Sequence, residues 1–140
     1  FVPPFTLSTK RARAALPQTV SMRDTVFNVS HAALLAASLA KGDLPLLGHA
    51  MKDRLHQPYR RELIAGYDDI KDIATENGAL AVYLSGAGPT MIAIWDGEIA
   101  ALQTVQRLAG KMGWQALTID LDEKGYTLTG SARQWRAAAQ

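Results

Sequence analysis

Residues 79–95 read ALAVYLSGAGPTMIAIW, and with them the helical spacing of the preceding chain gives way to short apolar runs. Ala79 to Leu84 and Thr90 to Trp95 are rich in strand formers and are separated by the glycine-bearing SGAGP, so they read as a β-hairpin. Gly86 and Gly88 allow positive φ and close backbone approach, and Pro89 stiffens the exit. Such a loop either lines an anion, braces a neighbouring phosphate loop, or simply closes the hairpin. It lacks the GK[ST] ending of a Walker A loop. It also does not join a strand to a helix, as a dinucleotide fingerprint does.

Upstream of the hairpin the chain is helical after an extended start. Phe1 to Leu7 carries Pro3 and Pro4, which restrict it to an edge strand or an extended lead-in. Ser8 reads as an N-cap for a helix from Thr9 that stops near Leu16, ahead of Pro17. Ser21 with Asp24 resembles a capping box, and Met22, Val26, Val29, Ala33, Ala37 and Ala40 then recur at helical spacing as far as Gly42. Asp43 caps another helix, with Pro45 in its first turn, running through Leu47, Ala50 and Met51 toward Arg54; the two form a helical hairpin. The segment HQPYRRELIAG reads as irregular. Asp68 and Asp69 then sit at the amino end of a helix with Ile70, Ile73 and Ala74 as its apolar face and Gly78 as its stop.

Downstream, Ile99, Leu102, Val105, Leu108 and Met112 mark a helix closed by Gly113. Leu117, Ile119 and Leu121 alternate as a strand before the turn DEKG, and Tyr126 to Leu128 adds a further short strand. The order strand, helices, strand, strand, helix, strand defines an α+β, ferredoxin-like (split βαβ) plan with a helical insertion in its first crossover.

At 140 residues and 48% hydrophobic, the chain suits one domain with one core. No window reaches the roughly 20 uncharged apolar residues of a membrane span, the longest weakly polar run being Ala32 to Ala40. There are no cysteines, which excludes a disulfide framework and thiolate metal sites and is compatible with a cytoplasmic location. The formal charge of +2 is dispersed, unlike the concentrated basic face of a nucleic-acid-binding protein, and suits a small anionic ligand better. Phe1 follows no initiator Met or targeting signal, so position 1 is read as a cut in a longer protein.

GALAVYLSGAGPTMIAI resembles the third motif of the GHMP kinases, a strand, glycine-rich loop and strand that face the nucleotide-binding loop of the other lobe. LSTKRARAALP, DTVFNVSHAALL, DRLHQPYR and LIAGYDDI are similar to the homoserine kinases within that family, in the same order from Leu7 to Ile94. One departure is IAGYDDI, where the family more often has a proline before the glycine. The resemblance implies that residues 1–140 are a GHMP kinase C-terminal domain whose N-terminal, ATP-binding lobe is absent. It also implies ATP and Mg2+ in the intact enzyme, none held by this piece alone, and phosphorylation of L-homoserine on the route to threonine. Catalytic groups and metal ligands are expected in the absent lobe, leaving the piece inactive by itself.

Residue by residue, the resemblance assigns Thr9, Arg13 and Arg60 to substrate binding, and Ser85, Gly86, Ala87, Gly88, Pro89 and Thr90 to support of the phosphate loop. Local chemistry agrees for the first pair. Thr9 and Arg13 are four apart on one helix face near its amino end, and a guanidinium grips a carboxylate through parallel hydrogen bonds. The plainer alternative is that these are solvated surface groups. His56 is read as shaping its loop, Asn28 as a supporting residue behind the site, and Trp95, Trp114 and Trp135 as packing groups; His31 and His49 receive no role. Expected partners are L-homoserine and the absent lobe, with a homodimer left open, and no nucleic acid or membrane. Two other functions stay open: another GHMP small-molecule kinase, or a non-enzymatic ferredoxin-like module for ligand binding or dimerisation.

Overall fold

The computed structural model describes residues 1–97 and 99–120. Along these the elements are α1 (Thr9–Ala14), α2 (Met22–Lys41), α3 (Leu44–Ala50), α4 (Gln57–Arg61), α5 (Tyr67–Glu76), β1 (Ala81–Leu84), β2 (Met91–Ile94) and α6 (Ile99–Lys111). The caps sit where local chemistry puts them. Ser8 accepts from the Arg11 amide, Ser21 from the Asp24 amide and Asp43 from the Leu46 amide, each satisfying a donor the first helical turn leaves free. Gly42 ends α2 at φ 67°, a conformation that spares glycine the Cβ clash other residues meet.

The expected hairpin forms, with β1 and β2 antiparallel and Leu84 opposite Met91. Backbone pairing then widens this two-stranded sheet. Phe1 and Met91 exchange both N–H···O bonds, at 2.8 and 3.0 Å, as directly opposed residues of an antiparallel ladder do. Val2 and Gln115 form an antiparallel bridge on the other side of the same short segment. The spatial order is therefore β1, β2, Phe1–Val2, Gln115, the order of a split βαβ plan. Phe1 to Leu7 is thus the extended lead-in. The strand expected from Leu117 is a single bridge at Gln115, with Leu117 and Ile119 exposed. Leu121, the DEKG turn, Tyr126–Leu128 and Trp135 lie outside the described residues.

The core lies between the hairpin and the pair α5 and α6. Ile64, Tyr67, Ile70, Leu84, Met91, Ala109 and Trp114 form one buried cluster, with Phe1, Phe5 and Leu7 packed against it. Full burial of each large side chain contributes about 1.5–3 kcal/mol. Trp114 packs as expected, and the Trp95 indole N–H donates to the Asn77 carbonyl at 3.0 Å. On the other flank α3 folds back on α2 and also reaches β1. That approach depends on Gly48, because a Cβ there would run into the carbonyl oxygen of Leu80.

Two expectations change. The stripe read as the packing face of α2 points away from the body, with Met22 76%, Val26 56% and Val29 66% exposed. The body-facing side carries Phe27, Asn28, His31, Leu34, Leu35 and the buried Ser38. Both sides of this alanine-rich helix are apolar at helical spacing, so periodicity alone does not choose between them. The second change is α4, a helix inside the segment read as irregular.

Candidate functional site

α4 begins at HQPYR, where no side chain at its own N-cap, His56, supplies a hydrogen bond. Asp53 does so from three residues upstream: its Oδ2 accepts from the amides of His56 at 2.9 Å and Gln57 at 2.7 Å. Pro58, next in line, has no amide to satisfy. The Asp53 side chain is only 8% exposed, and Asn28 of α2 secures it, donating from Nδ2 to Oδ1 at 2.6 Å. The same Asn28 accepts the Arg54 amide on its Oδ1 at 2.9 Å. Burial alone would raise the Asp53 pKa. The hydrogen bonds from His56, Gln57 and Asn28, with the nearby His56 ring, outweigh it and hold the carboxyl below its usual range.

Two side chains of the short helix then reach the hairpin. Gln57 accepts the Leu84 amide on Oε1 at 3.0 Å, fixing α4 beside the end of β1. Arg60 spans further. Its Nε donates to the Ala12 carbonyl of α1 at 3.3 Å, and its Nη1 donates to the Gly86 carbonyl at 3.0 Å and lies 3.2 Å from His56 Nδ1. Its Nη2 has no hydrogen-bond partner among the described residues and remains available to an anion.

The loop that receives Arg60 is closed by the Ser85 amide donating to Thr90 at 2.9 Å and the Gly88 amide donating to Ser85 at 3.0 Å. Gly86 at φ 57° and Gly88 at φ 79° both occupy the left-handed region, and a Cβ on Gly88 would stand 3.0 Å from Ile64 Cδ1. The Gly88–Pro89 peptide is cis. Gly86 is exposed, whereas Ser85, Ala87, Gly88, Pro89 and Thr90 are half-buried. Of this loop, the Gly86 carbonyl faces the Arg60 guanidinium, while the Ser85 and Thr90 carbonyls are spent within the loop.

Of the residues assigned to substrate, Arg60 is at this junction, while Thr9 and Arg13 are exposed on α1. The link from α1 to Arg60 is the Ala12 backbone; no hydrogen bond joins the Thr9 or Arg13 side chain to it among the described residues. Asp53 and Gln57 were not singled out by sequence. The signal for Asp53 is an acidic residue three before a proline-bearing helix start. A cleft of about 610 Å³ opens on the other side of Asp53 and Gln57, between α3, α4, α5 and the start of β1, and includes neither Arg60 nor the loop. Its Arg54 and Arg61 pair with Asp24 at 3.5 Å and Asp68 at 2.8 Å, and Lys52 and Lys71 also line it. Among the described residues no three His, Asp or Glu side chains gather to hold a metal ion. No helix among them is long and apolar enough to cross a membrane.

Comparison with known proteins identifies the family. Residues 35–113 match the GHMP kinases C terminal family. A homoserine kinase of Caldicellulosiruptor saccharolyticus is 41% identical over 133 residues, covering 91% of this chain and 43% of the relative. One from Deinococcus radiodurans is 56% identical over 95 residues, 68% of this chain and 31% of its own length. The crystal structure of homoserine kinase from Cytophaga hutchinsonii superposes with a TM-score of 0.72 at 32% identity, covering 79% of this chain and 35% of that one. The chain therefore spans less than half the length of these relatives. The resemblances drawn from GALAVYLSGAGPTMIAI and DRLHQPYR are borne out in both sequence and fold, and the chain belongs to the GHMP kinase family as its C-terminal part.

Proposed function

We propose that the intact protein transfers the γ-phosphoryl group of ATP to the side-chain hydroxyl of L-homoserine, and that residues 1–140 form the domain that holds the amino acid. One observation carries this reading: the Arg60 guanidinium joins the backbone of α1 at Ala12 to the glycine loop at Gly86. A carboxylate bound by the free Nη2 group of Arg60 would lie between the helix bearing Thr9 and Arg13 and the loop 85–90. Arg13 supplies a second cation for that carboxylate, and Thr9 a hydroxyl beside it.

In the transfer, the homoserine hydroxyl oxygen bonds to the γ-phosphorus, the bond to the ADP oxygen breaks with its electrons staying on ADP, and the hydroxyl proton is released to solvent. Catalysis of this kind rests on positioning and charge stabilisation. The domain fixes the acceptor end by its carboxylate, while Ser85 to Thr90 brace the loop that wraps the triphosphate. ATP and Mg2+ belong in this reading to the N-terminal lobe, and the enzyme works in the cytoplasm, supplying phosphohomoserine for threonine synthesis. The domain by itself is then without kinase activity.

A panel of acceptor alcohols offered to the intact protein with MgATP tests the assignment. Preference for L-homoserine over its decarboxylated analogue 3-aminopropanol, galactose and mevalonate is expected. Equal use of an acceptor without a carboxylate would remove the role given to the arginines.

A further inference from the structure

We infer that His56 is a positioning residue for the substrate carboxylate: its neutral ring, through the lone pair on Nδ1, aims the Arg60 guanidinium. This inference rests on the reading of Arg60 as the carboxylate anchor. A guanidinium has only N–H donors, so the 3.2 Å contact between Arg60 Nη1 and His56 Nδ1 makes Nδ1 the acceptor. The proton of the neutral ring then sits on Nε2, which faces Asp53 Oδ1 at 3.8 Å. Asn28 and the amides of His56 and Gln57 in turn hold Asp53 in place. A line of polar contacts thus runs from α2 through Asp53 and His56 to Arg60, and ends at the Gly86 carbonyl.

Apart from facing Asp53, the imidazole makes no contact that starts or caps α4. α4 is started by Asp53, and the His56 side chain makes no cap hydrogen bond. Its one side-chain hydrogen bond among the described residues is to Arg60. Removing the ring would leave the helix standing and take away one of the three acceptors, with the Ala12 and Gly86 carbonyls, that fix the angle of the guanidinium.

Protonation has the same effect for a different reason. A proton on Nδ1 meets the N–H of Arg60 and sets two cations 3.2 Å apart. The charged groups facing the ring are Asp53 ahead of α4 and Arg60 within it; α1 and the glycine loop contribute the uncharged carbonyls of Ala12 and Gly86 to Arg60. Burial lowers the His56 pKa most; Asp53 pulls it back up, and Arg60, with a smaller effect than Asp53, lowers it again, so the net shift is downward and the neutral ring dominates at pH 7.

The test is steady-state kinetics of the intact kinase from pH 5 to 8, comparing wild type with His56→Ala and His56→Asn, whose Oδ1 stands close to the place of Nδ1. His56→Ala is expected to raise the KM for homoserine about tenfold at pH 7.5, with kcat and the KM for ATP within about twofold. His56→Asn is expected to stay within about threefold of wild type and to lack the acid-side rise in homoserine KM, which in wild type is expected at a pH below the ordinary imidazole value of about 6.5 because the His56 pKa is lowered. An unchanged KM in His56→Ala, or a wild-type acid rise in His56→Asn, overturns the inference; if the alanine variant does not fold, the asparagine pH profile decides. A wild-type enzyme that ignores homoserine overturns the function and this inference together. One that uses homoserine while the variants behave as wild type overturns the inference alone.

Discussion

Arg60 donates to the carbonyl oxygen of Gly86 across 3.0 Å, and the two residues stand 26 positions apart in the chain. A cation whose Nε and Nη1 are spent on backbone carbonyls while Nη2 is left over is a fixed anion receptor rather than a mobile surface charge. Replacing Arg60 by alanine in the intact enzyme should lower kcat/KM for homoserine by about 1.5–3 kcal/mol, roughly 10- to 150-fold. The KM for ATP should move little, because the exposed Gly86 carbonyl regains water. Lysine, a point charge without the planar fork, should recover only part of the loss. Homoserine kinetics unchanged in the alanine variant would take Arg60 out of the site.

Asn28→Ala should cost about 1.5–3 kcal/mol of stability, since it removes a donor to the nearly buried Asp53 carboxylate and an acceptor from the Arg54 amide. Denaturant titration by circular dichroism measures it directly. A loss below about 0.5 kcal/mol would mean that water replaces the amide at no cost.

Acid should find the same carboxylate. The native pKa of Asp53 is depressed, so its contribution is complete above the unfolded value near 4 and disappears as pH falls through the lower native value. Wild type should therefore lose stability between about pH 5 and pH 2 beyond what Asp53→Asn loses. Parallel pH profiles for the two proteins would show that Asp53 titrates alike folded and unfolded.

Gly48→Ala should destabilise the fold by about 1–3 kcal/mol, although alanine is the better helix former, because the new methyl meets the Leu80 carbonyl of a packed backbone. A higher melting temperature in the variant would place α3 further from β1 than the structure does.

Val29→Gln should change the stability of this chain by no more than about 0.5 kcal/mol, while Leu47→Ala should cost about 2–5 kcal/mol. Val29 is 66% exposed and Leu47 is 1% exposed. Thermal melts of the two variants compare the outward and inward sides of the helical hairpin.

The parts of this structure that rest on local chemistry were readable from residues alone. Ser8, Ser21, Asp43 and Gly42 mark helix ends, and the doubly punctuated SGAGP marks the hairpin. What escaped is decided over longer distances. Periodicity placed an apolar stripe on α2 correctly but could not say that the body meets the side bearing Asn28, His31 and Ser38 instead. α4 escaped because five residues, QPYRR, have no apolar period and their cap lies outside the helix, on Asp53. The line from Asn28 to Asp53 crosses 25 positions, and neither residue carries a pattern pointing to the other.

The pairing of Phe1 with Met91 bears on how the domain forms. The partners are 90 positions apart, and closing so long a loop precedes any reward from the contact. β1 and β2, joined by a short loop, can meet early, and so can α2 and α3. The opening residues of this domain must instead wait, with the apolar Phe1, Val2 and Phe5 uncovered, until nearly all of the described chain has followed. The slow step of folding would then be the threading of this short segment between β2 and Gln115, and a chaperone would find its target at the beginning of the domain rather than at the hairpin that dominates its sequence.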